Sequence, residues 1–368
     1  VRIVIATGIY PPDIGGPATY ARELAQALRQ LGEEVAVVSY APHCPPDAEE
    51  TKIDPHLTLV PRNGGTLTRW KNYREALRRV AARADVIYAL SSVSAGVPLM
   101  LSGLPRPPLR VLRLGGDFAW ERATDAGDQR TLREWAEANP WQQRLLARVL
   151  RSFDHIVFST SFQQELATRT MPRLPTHSVI ENALPGSGAV PAHEIHTPLR
   201  LLAMQRFVRF KNLENLLRAL TLLPDCTLTL VGEGPHAQHL RQLATTLPGV
   251  AARLRWLSPA HGLEKRALCD EHDLLVLPSL TEISPNAALE ARAIGLPVLL
   301  TEETGLSDHL TNGMLLRALR TSGQIADAIR EVRANYPVLA AAACTPLHPR
   351  PWSTLAQEHV DLFRTLRA

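Results

Sequence analysis

"VRIVIATGIYPPDIGGPATYARELAQALRQLGEEVAVVSY", residues 1–40, sets out a strand pattern, a helical pattern and a second strand pattern in turn. Its first eight residues form an apolar, β-branched run that stops at Gly8. A Gly-Gly-Pro follows, and residues 17–32, "PATYARELAQALRQLG", set their apolar side chains at helical spacing, opening on Pro and closing on Gly. "EVAVVSY" is then a second apolar strand. Near-continuous apolar strands separated by a helix belong to a parallel sheet covered on both faces.

Working outward, "DVIYAL", "LRVLRLGG" and "HIVFST" continue the alternation. It breaks at the Gly-, Pro- and Ala-rich "NALPGSGAVPAHEIHTP" and restarts with "LRLLAMQRF", "CTLTLVGEG", "ARLRWLS", "DLLVLPS" and "PVLLTE". The chain is therefore α/β, with two Rossmann-like domains facing a central cleft, where ligands of such folds often bind. The expected boundaries are 1–185 and 199–345, with a linker at 186–198. A last helical pattern, "WSTLAQEHVDLFRTLRA" at 352–368, follows a Pro-rich break and need not pack on the second domain.

At 368 residues the chain has room for two domains. Its 45% hydrophobic and 21% charged content is that of an ordinary globular protein. Lys plus Arg number 40 against 36 for Asp plus Glu, an excess of four that gives no nucleic-acid footprint, and no zinc-finger spacing supports one. The four cysteines lie far apart with no C-x-x-C pair, which disfavours a disulfide framework and fits a reducing cytoplasm. The opening "VRIVIATG" has no charged n-region, so no secretory leader is expected. Residues 86–105 carry no charge, but their serines, glycines and prolines suit a buried strand, a turn and a short helix better than a membrane span.

Several places could carry chemistry. Gly15 and Gly16 precede a helix start, where backbone amides and the helix dipole favour an anion; a plain turn is as good a reading. Gly232-x-Gly234 sits between a strand and a helix, yet the next strand, "ARLRWLS", offers Arg253 and Arg255 where a dinucleotide fold needs an acid. A tight turn is the better reading. Arg206 and Lys211 share the loop after "LRLLAM", where two cations can grip a diphosphate or simply be solvated. "TEISPNAALEARAIG" is a loop and then a helix starting near Pro285 or Asn286 and ending at Gly295, with Glu282 in the loop and Glu290 about one turn inside. By itself Glu290 could be a first-turn acid favoured by the dipole.

Taken in order along the chain, these segments resemble the family-4 glycosyltransferases, retaining enzymes of the GT-B fold. The E-x7-E pair Glu282 and Glu290, the R-x4-K pair Arg206 and Lys211, the Gly-Gly loop and helix, "VGEGP", "VIENALP" and the terminal "WSTLAQEHVDLF" all carry the resemblance. It implies a C-terminal helix that crosses back to the N-terminal domain. It also implies a nucleotide-sugar donor, UDP- or GDP-linked, and a hydroxyl acceptor such as a growing glycan or lipid-linked saccharide. Catalytic roles fall to Arg206, Lys211 and Glu282. Donor binding falls to Gly15, Gly16, Gly232, Glu233, Ile283, Ser284, Asn286 and Glu290, and the acceptor side to Asp117, Trp120 and Glu121. No cofactor and no metal is expected, in keeping with the absence of D-x-D from the chain.

Two departures stand out. Gly115 occupies the place of a His that many members carry, and Ile283 replaces the Gly that usually follows the first Glu. The first leaves open a nucleotide-sugar-binding protein without catalysis, beside an epimerase or phosphorylase of the same architecture. Arg69, Lys71, Arg74, Arg78, Arg79 and Arg83 crowd one helical pattern. A solvated face explains them, as does peripheral contact with an anionic membrane; the expected location is the cytoplasm or the inner face of its membrane.

Overall fold

The computed structural model describes residues 1–13, 15–41, 54–105, 108–184, 186 and 195–368. Most of the expected linker, 187–194, and Cys44 lie outside the described residues. The chain forms two compact units: Val1–Phe118 with Ala136–Ala183 and Arg350–Ala368, and Ala119–Trp135 with Leu184–Pro349.

Among the described residues, the first unit is built on seven parallel strands. These are β1 (Arg2–Ala6), β2 (Glu34–Tyr40), β3 (Leu57–Val60), β4 (Val86–Ala89), β5 (Leu109–Leu114), β6 (His155–Phe158) and β7 (Thr176–Val179), in the order β3-β2-β1-β4-β5-β6-β7. β4 is buried at every position, as a strand covered on both faces must be. The order reverses between β1 and β4, so the Gly15-Gly16 loop after β1 opens at the switch point, where α/β sheets leave a crevice. The charge-free stretch 86–105 is β4, a π-helical turn at Ser92–Gly96 and the helix Val97–Met100. Among the described residues, no helix is long and apolar enough to cross a membrane.

The C-terminal helix, Trp352–Arg367, belongs to this first unit and packs on the helix Gly16–Gln30. Leu355, Ala356, Val360 and Phe363 enter one core with Leu24, Leu28 and Tyr88. Their spacing places all four on one helical stripe, which is why this helix can cover the sheet. His359 lies on the same stripe, its Nε2 within 3.2 Å of the Tyr20 hydroxyl and 2.9 Å of the Tyr88 hydroxyl.

Among its described residues, the second unit has six parallel strands: β8 (Leu199–Met204), β9 (Cys226–Val231), β10 (Leu254–Leu257), β11 (Leu274–Leu277), β12 (Val298–Thr301) and β13 (Met314–Arg317). Their order is β10-β9-β8-β11-β12-β13, with the reversal between β8 and β11.

Ala119–Trp135, which the composition-based boundary leaves in the first domain, clusters with this second unit. The contacts give the reason. The Leu132 N–H donates to Thr281 Oγ1 at 2.9 Å, the Trp120 ring lies 5.1 Å from that of Phe210, and Arg320 pairs with Glu134 at 2.8 Å.

Candidate active site

Arg206, Lys211 and Glu282 come from the loops that leave the two strands flanking the reversal in the second unit, β8 and β11. Those loops are stitched together by backbone and amide hydrogen bonds. The Leu280 N–H donates to Phe210 O at 2.8 Å. Asn212 adopts a left-handed φ of 56°, which Asn tolerates better than most residues. Its buried side-chain amide donates to Pro278 O at 3.1 Å and Leu319 O at 2.8 Å. Lys211 is thus held by its neighbour rather than left on a free loop.

Lys211 Nζ lies 2.6 Å from Glu282 Oε1. The Ser279 hydroxyl donates to the same oxygen at 2.5 Å. The backbone of Glu282 is fixed from the other side, its N–H donating to Glu303 O at 2.9 Å and its carbonyl accepting from Gly305 N–H at 2.8 Å. The carboxylate is therefore oriented through three elements. Oε1 is committed to a cation and a hydroxyl, and among the described residues Oε2 has no hydrogen-bond partner. Arg206 is exposed and makes no ion pair among the described residues. A fixed cation, a free one and a carboxylate on adjoining loops suit a ligand that carries both hydroxyls and phosphates.

Gly232 and Gly234 serve the loop of Arg206. They have φ of 146° and 155°, and a Cβ on either would lie 2.1 Å from Gln205 O or 2.5 Å from Phe207 O. Between these close approaches, the Phe207 N–H donates to Glu233 O at 2.8 Å and the His236 N–H to Phe207 O at 2.9 Å. The glycines are required by packing, as the tight-turn reading holds; the helix beyond starts only at Ala237.

The helix Asn286–Ile294 follows Pro285 as N-cap and ends at Gly295 with φ 90°. The first hydrogen bond back to Pro285 O comes from Ala288, so the amides of Asn286 and Ala287 precede the helix's own pairing. Glu290, one turn in, pairs with Lys265 of the helix Gly262–Asp270. Buried Arg292 donates to the carbonyls of Asn312, Ala343 and Thr345, tying the helix to the turn before β13 and to the chain after it. Among the described non-glycine residues only Arg173 and Asn212 have positive φ. Ile283 therefore needs no glycine-like backbone. Ser284 beside it is half-buried.

In the first unit, Gly15 has φ 151° and its carbonyl accepts from Ala18 and Thr19, the start of the helix that Gly16 opens. The carbonyl of Gly115 accepts from the Gln163 side-chain amide at 2.5 Å. A Cβ at Gly115 would meet nothing closer than Leu90 O at 4.0 Å, so lack of space does not explain the missing side chain. Asp117 is half-buried. In the second unit, Trp120 is buried and its indole N–H donates to Arg130 O at 3.0 Å, which makes it a packing residue in this structure. Glu121 is half-buried on the same helix.

Two units of parallel sheet and helices are those of the GT-B fold, and the comparisons with known proteins give the class a family. Residues 198–335 match the model of the glycosyl transferases group 1, and residues 15–183 that of the glycosyl transferase 4-like domain. The chain belongs to this glycosyltransferase family. The glycogen synthase of Mycobacterium tuberculosis is 26% identical, over 90% of this chain and 86% of its own length. The D-inositol 3-phosphate glycosyltransferase of Pseudarthrobacter chlorophenolicus is 28% identical, over 82% and 77%. The fold matches sucrose-phosphate synthase from Thermosynechococcus elongatus with TM-score 0.78 at 18% identity, covering 100% of this chain and 99% of that one. It also matches Anabaena HepE, solved in complex with UDP-glucose, with TM-score 0.74 at 15% identity, covering 99% and 100%.

Proposed function

We propose that this glycosyltransferase moves a sugar from a nucleoside-diphosphate sugar to a hydroxyl of a glycan or lipid-linked acceptor, with retention and without a metal ion. The observation that carries the reading is the Lys211–Glu282 pair beside Arg206 at the strand reversal of the second unit. Lys211 and Arg206 neutralise the diphosphate as the bond from its oxygen to the anomeric carbon breaks. Fixed cations aimed at developing charge are worth about 10²–10³ in rate. The departing phosphate oxygen takes the acceptor proton while the acceptor oxygen bonds the anomeric carbon from the same face. Configuration is then retained with no enzyme nucleophile.

Glu282 accepts from hydroxyls of the transferred sugar through Oε2, and Glu290 from the ribose hydroxyls. Glu233, Ile283 and Ser284 supply the turns around the donor. In the second unit the amides at Asn286 and Gly232 are assigned to the donor by resemblance, and in the first unit Gly15 and Gly16 keep the anion-binding role that the resemblance gives them. Asp117 in the first unit and Glu121 in the second are each assigned to the acceptor by resemblance, and Trp120 acts by holding the helix of Glu121. Similarity to HepE, whose structure holds UDP-glucose, supports a nucleotide-sugar donor. The test is turnover of a UDP-, GDP- and ADP-sugar panel in chelator, with the product anomer read by NMR. Inverted product, or strict need for a divalent ion, overturns the mechanism.

We further propose that the helix Thr66–Val80 rests on an anionic membrane surface. Lys71, Arg78 and Arg79 are exposed on it, as is Leu67 at 78%. Basic residues near such a surface contribute about 1 kcal/mol each. Co-sedimentation with phosphatidylserine vesicles that resists replacement of these cations sinks the idea.

A further inference from the structure

We infer that Glu214, His236 and His239 form a binding site for one zinc-like divalent cation in the second unit. The three offer Oε1, Nε2 and Nε2, all within 4.8 Å of one another. Both imidazoles aim their Nε2 atoms at a single carboxylate oxygen, His236 at 2.6 Å and His239 at 3.3 Å from Glu214 Oε1. Their rings are stacked, with centroids 4.5 Å apart. Tetrahedral ligands around zinc stand about 3.3 Å from each other, given bonds of about 2.0–2.1 Å. The His239–Glu214 separation already matches, the His236–Glu214 one needs to open by less than an ångström, and all three ligand atoms lie within 4.8 Å of one another. Two neutral imidazoles and a carboxylate are a ligand set suited to zinc, with a fourth position left for water.

The surroundings hold the carboxylate in place: Glu214 is half-buried and both imidazoles approach the same oxygen. Cys226 and Cys269 are pushed up to about 11 and about 12 by burial, which makes them poor competitors for the ion.

The consequence reaches the donor side. Glu214 follows Lys211 by three residues, on the helix Leu213–Ala219. His236 closes the Gly232–Gly234 turn, and its N–H is the one bonded to Phe207 O. An ion here would clamp that turn to that helix and so steady the loop that carries Arg206. The ion is structural, away from the reacting atoms, and distinct from the metal-free catalysis proposed above.

The test uses the full chain, stripped with chelator and titrated with zinc alone against a colorimetric zinc indicator. One equivalent binding with micromolar or tighter affinity is expected, together with slowed hydrogen exchange of the His236 amide. His239→Ala and Glu214→Gln should each weaken binding at least about tenfold, while His309→Ala leaves it unchanged. His239→Ala keeps the His236–Glu214 bond, and its zinc-free melting temperature should equal that of the unmodified chain, separating lost binding from lost fold. Cobalt in place of zinc should show no thiolate charge-transfer absorption. Equal zinc affinity in the His239→Ala chain, a thiolate band, or no saturable uptake overturns the site, leaving only a hydrogen-bonded His–carboxylate cluster. None of these readouts depends on sugar transfer.

Discussion

Lys211 Nζ lies 2.6 Å from Glu282 Oε1, and the two residues descend from different strands, β8 and β11, that neighbour each other where the order of the second sheet reverses. Each side chain is largely buried, so removing one leaves the other buried without its partner. The pair therefore acts as one unit. Lys211→Ala and Glu282→Gln are each expected to lower kcat by about 10²-fold. The double variant should lose much less than the product of the two losses, because partners in one network are not additive. Steady-state kinetics of the four-member cycle checks this, and strictly multiplicative losses would count against coupling.

Arg206, on the loop after β8, and Gly232, on the adjoining loop after β9, separate chemistry from packing. Arg206 is exposed, so Arg206→Ala should leave urea stability within about 0.5 kcal/mol while lowering kcat at least tenfold. Gly232→Ala forces a Cβ to 2.1 Å from Gln205 O at a φ of 146°. It should cost about 1–3 kcal/mol in stability and displace the loop of Arg206, with activity falling in step. A Gly232→Ala chain as stable as the parent would contradict the close approach.

Among the described residues, ten of the thirteen strands were legible as apolar runs; β3, β7 and β13 were not. All three lie at sheet edges, four residues long and mostly half-exposed, so "LTLV", "THSV" and "MLLR" carry little of the continuous apolar signal of a central strand. In the site, Arg206, Lys211 and Glu282 were visible as motif residues, since their spacings are local. Lys265, Ser279 and Asn212 were missed. Lys265 meets Glu290 across 25 positions, and Asn212 reaches Leu319 across 107, distances over which sequence spacing says nothing. The attachment of Ala119–Trp135 to the second unit was hidden likewise, because it rests on contacts such as Leu132 to Thr281 and not on composition.

Glu290 and Lys265 make a partly exposed ion pair, worth at most about 1 kcal/mol. A ribose that hydrogen-bonds Glu290 can therefore displace the lysine at little cost. Glu290→Ala should raise the nucleotide Kd about tenfold, the equivalent of 1.4 kcal/mol, with a small effect on the rate of bound donor. Lys265→Ala should change that Kd less than about threefold. Isothermal titration with UDP and GDP distinguishes the two, and an unchanged Kd in Glu290→Ala removes the residue from the donor site.

Acid sensitivity should come from buried histidines. Burial lowers His359 to about 3 and, with the charge of His177, lowers His155 to about 4. Both folded values fall below the ordinary value of 6.5, so both rings are neutral in either state above that pH. Below it the unfolded chain binds protons that the fold refuses. Stability present above about 6.5 is lost as pH falls toward 4 and 3, each group contributing at most about 1.4 kcal/mol per pH unit. Urea midpoints measured from neutral to mildly acid pH should fall more gently in His359→Gln, which keeps a polar partner for Tyr20 and Tyr88. Parallel curves would mean that His359 does not govern the loss.

Phe363 tests whether the last helix is a required wall of the first unit. Its side chain is fully buried, with its ring 5.5 Å from that of Tyr88 in an edge-on arrangement, in the core that also holds Leu24 and Leu28. Truncation to Ala removes the apolar contacts and leaves a cavity that β4 and the helix Gly16–Gln30 can close only in part. The expected cost is about 3–5 kcal/mol. Leu362, half-buried on the flank of the same helix, offers the matched control, and Leu362→Ala should cost less than half as much. Because the helix is apart in sequence from the sheet it covers, weakening it should loosen the first unit before the second. Hydrogen exchange should then show early deprotection of β1 and β4 with β8 and β11 still protected. Simultaneous exchange of both sheets would instead mean that the two units unfold as one.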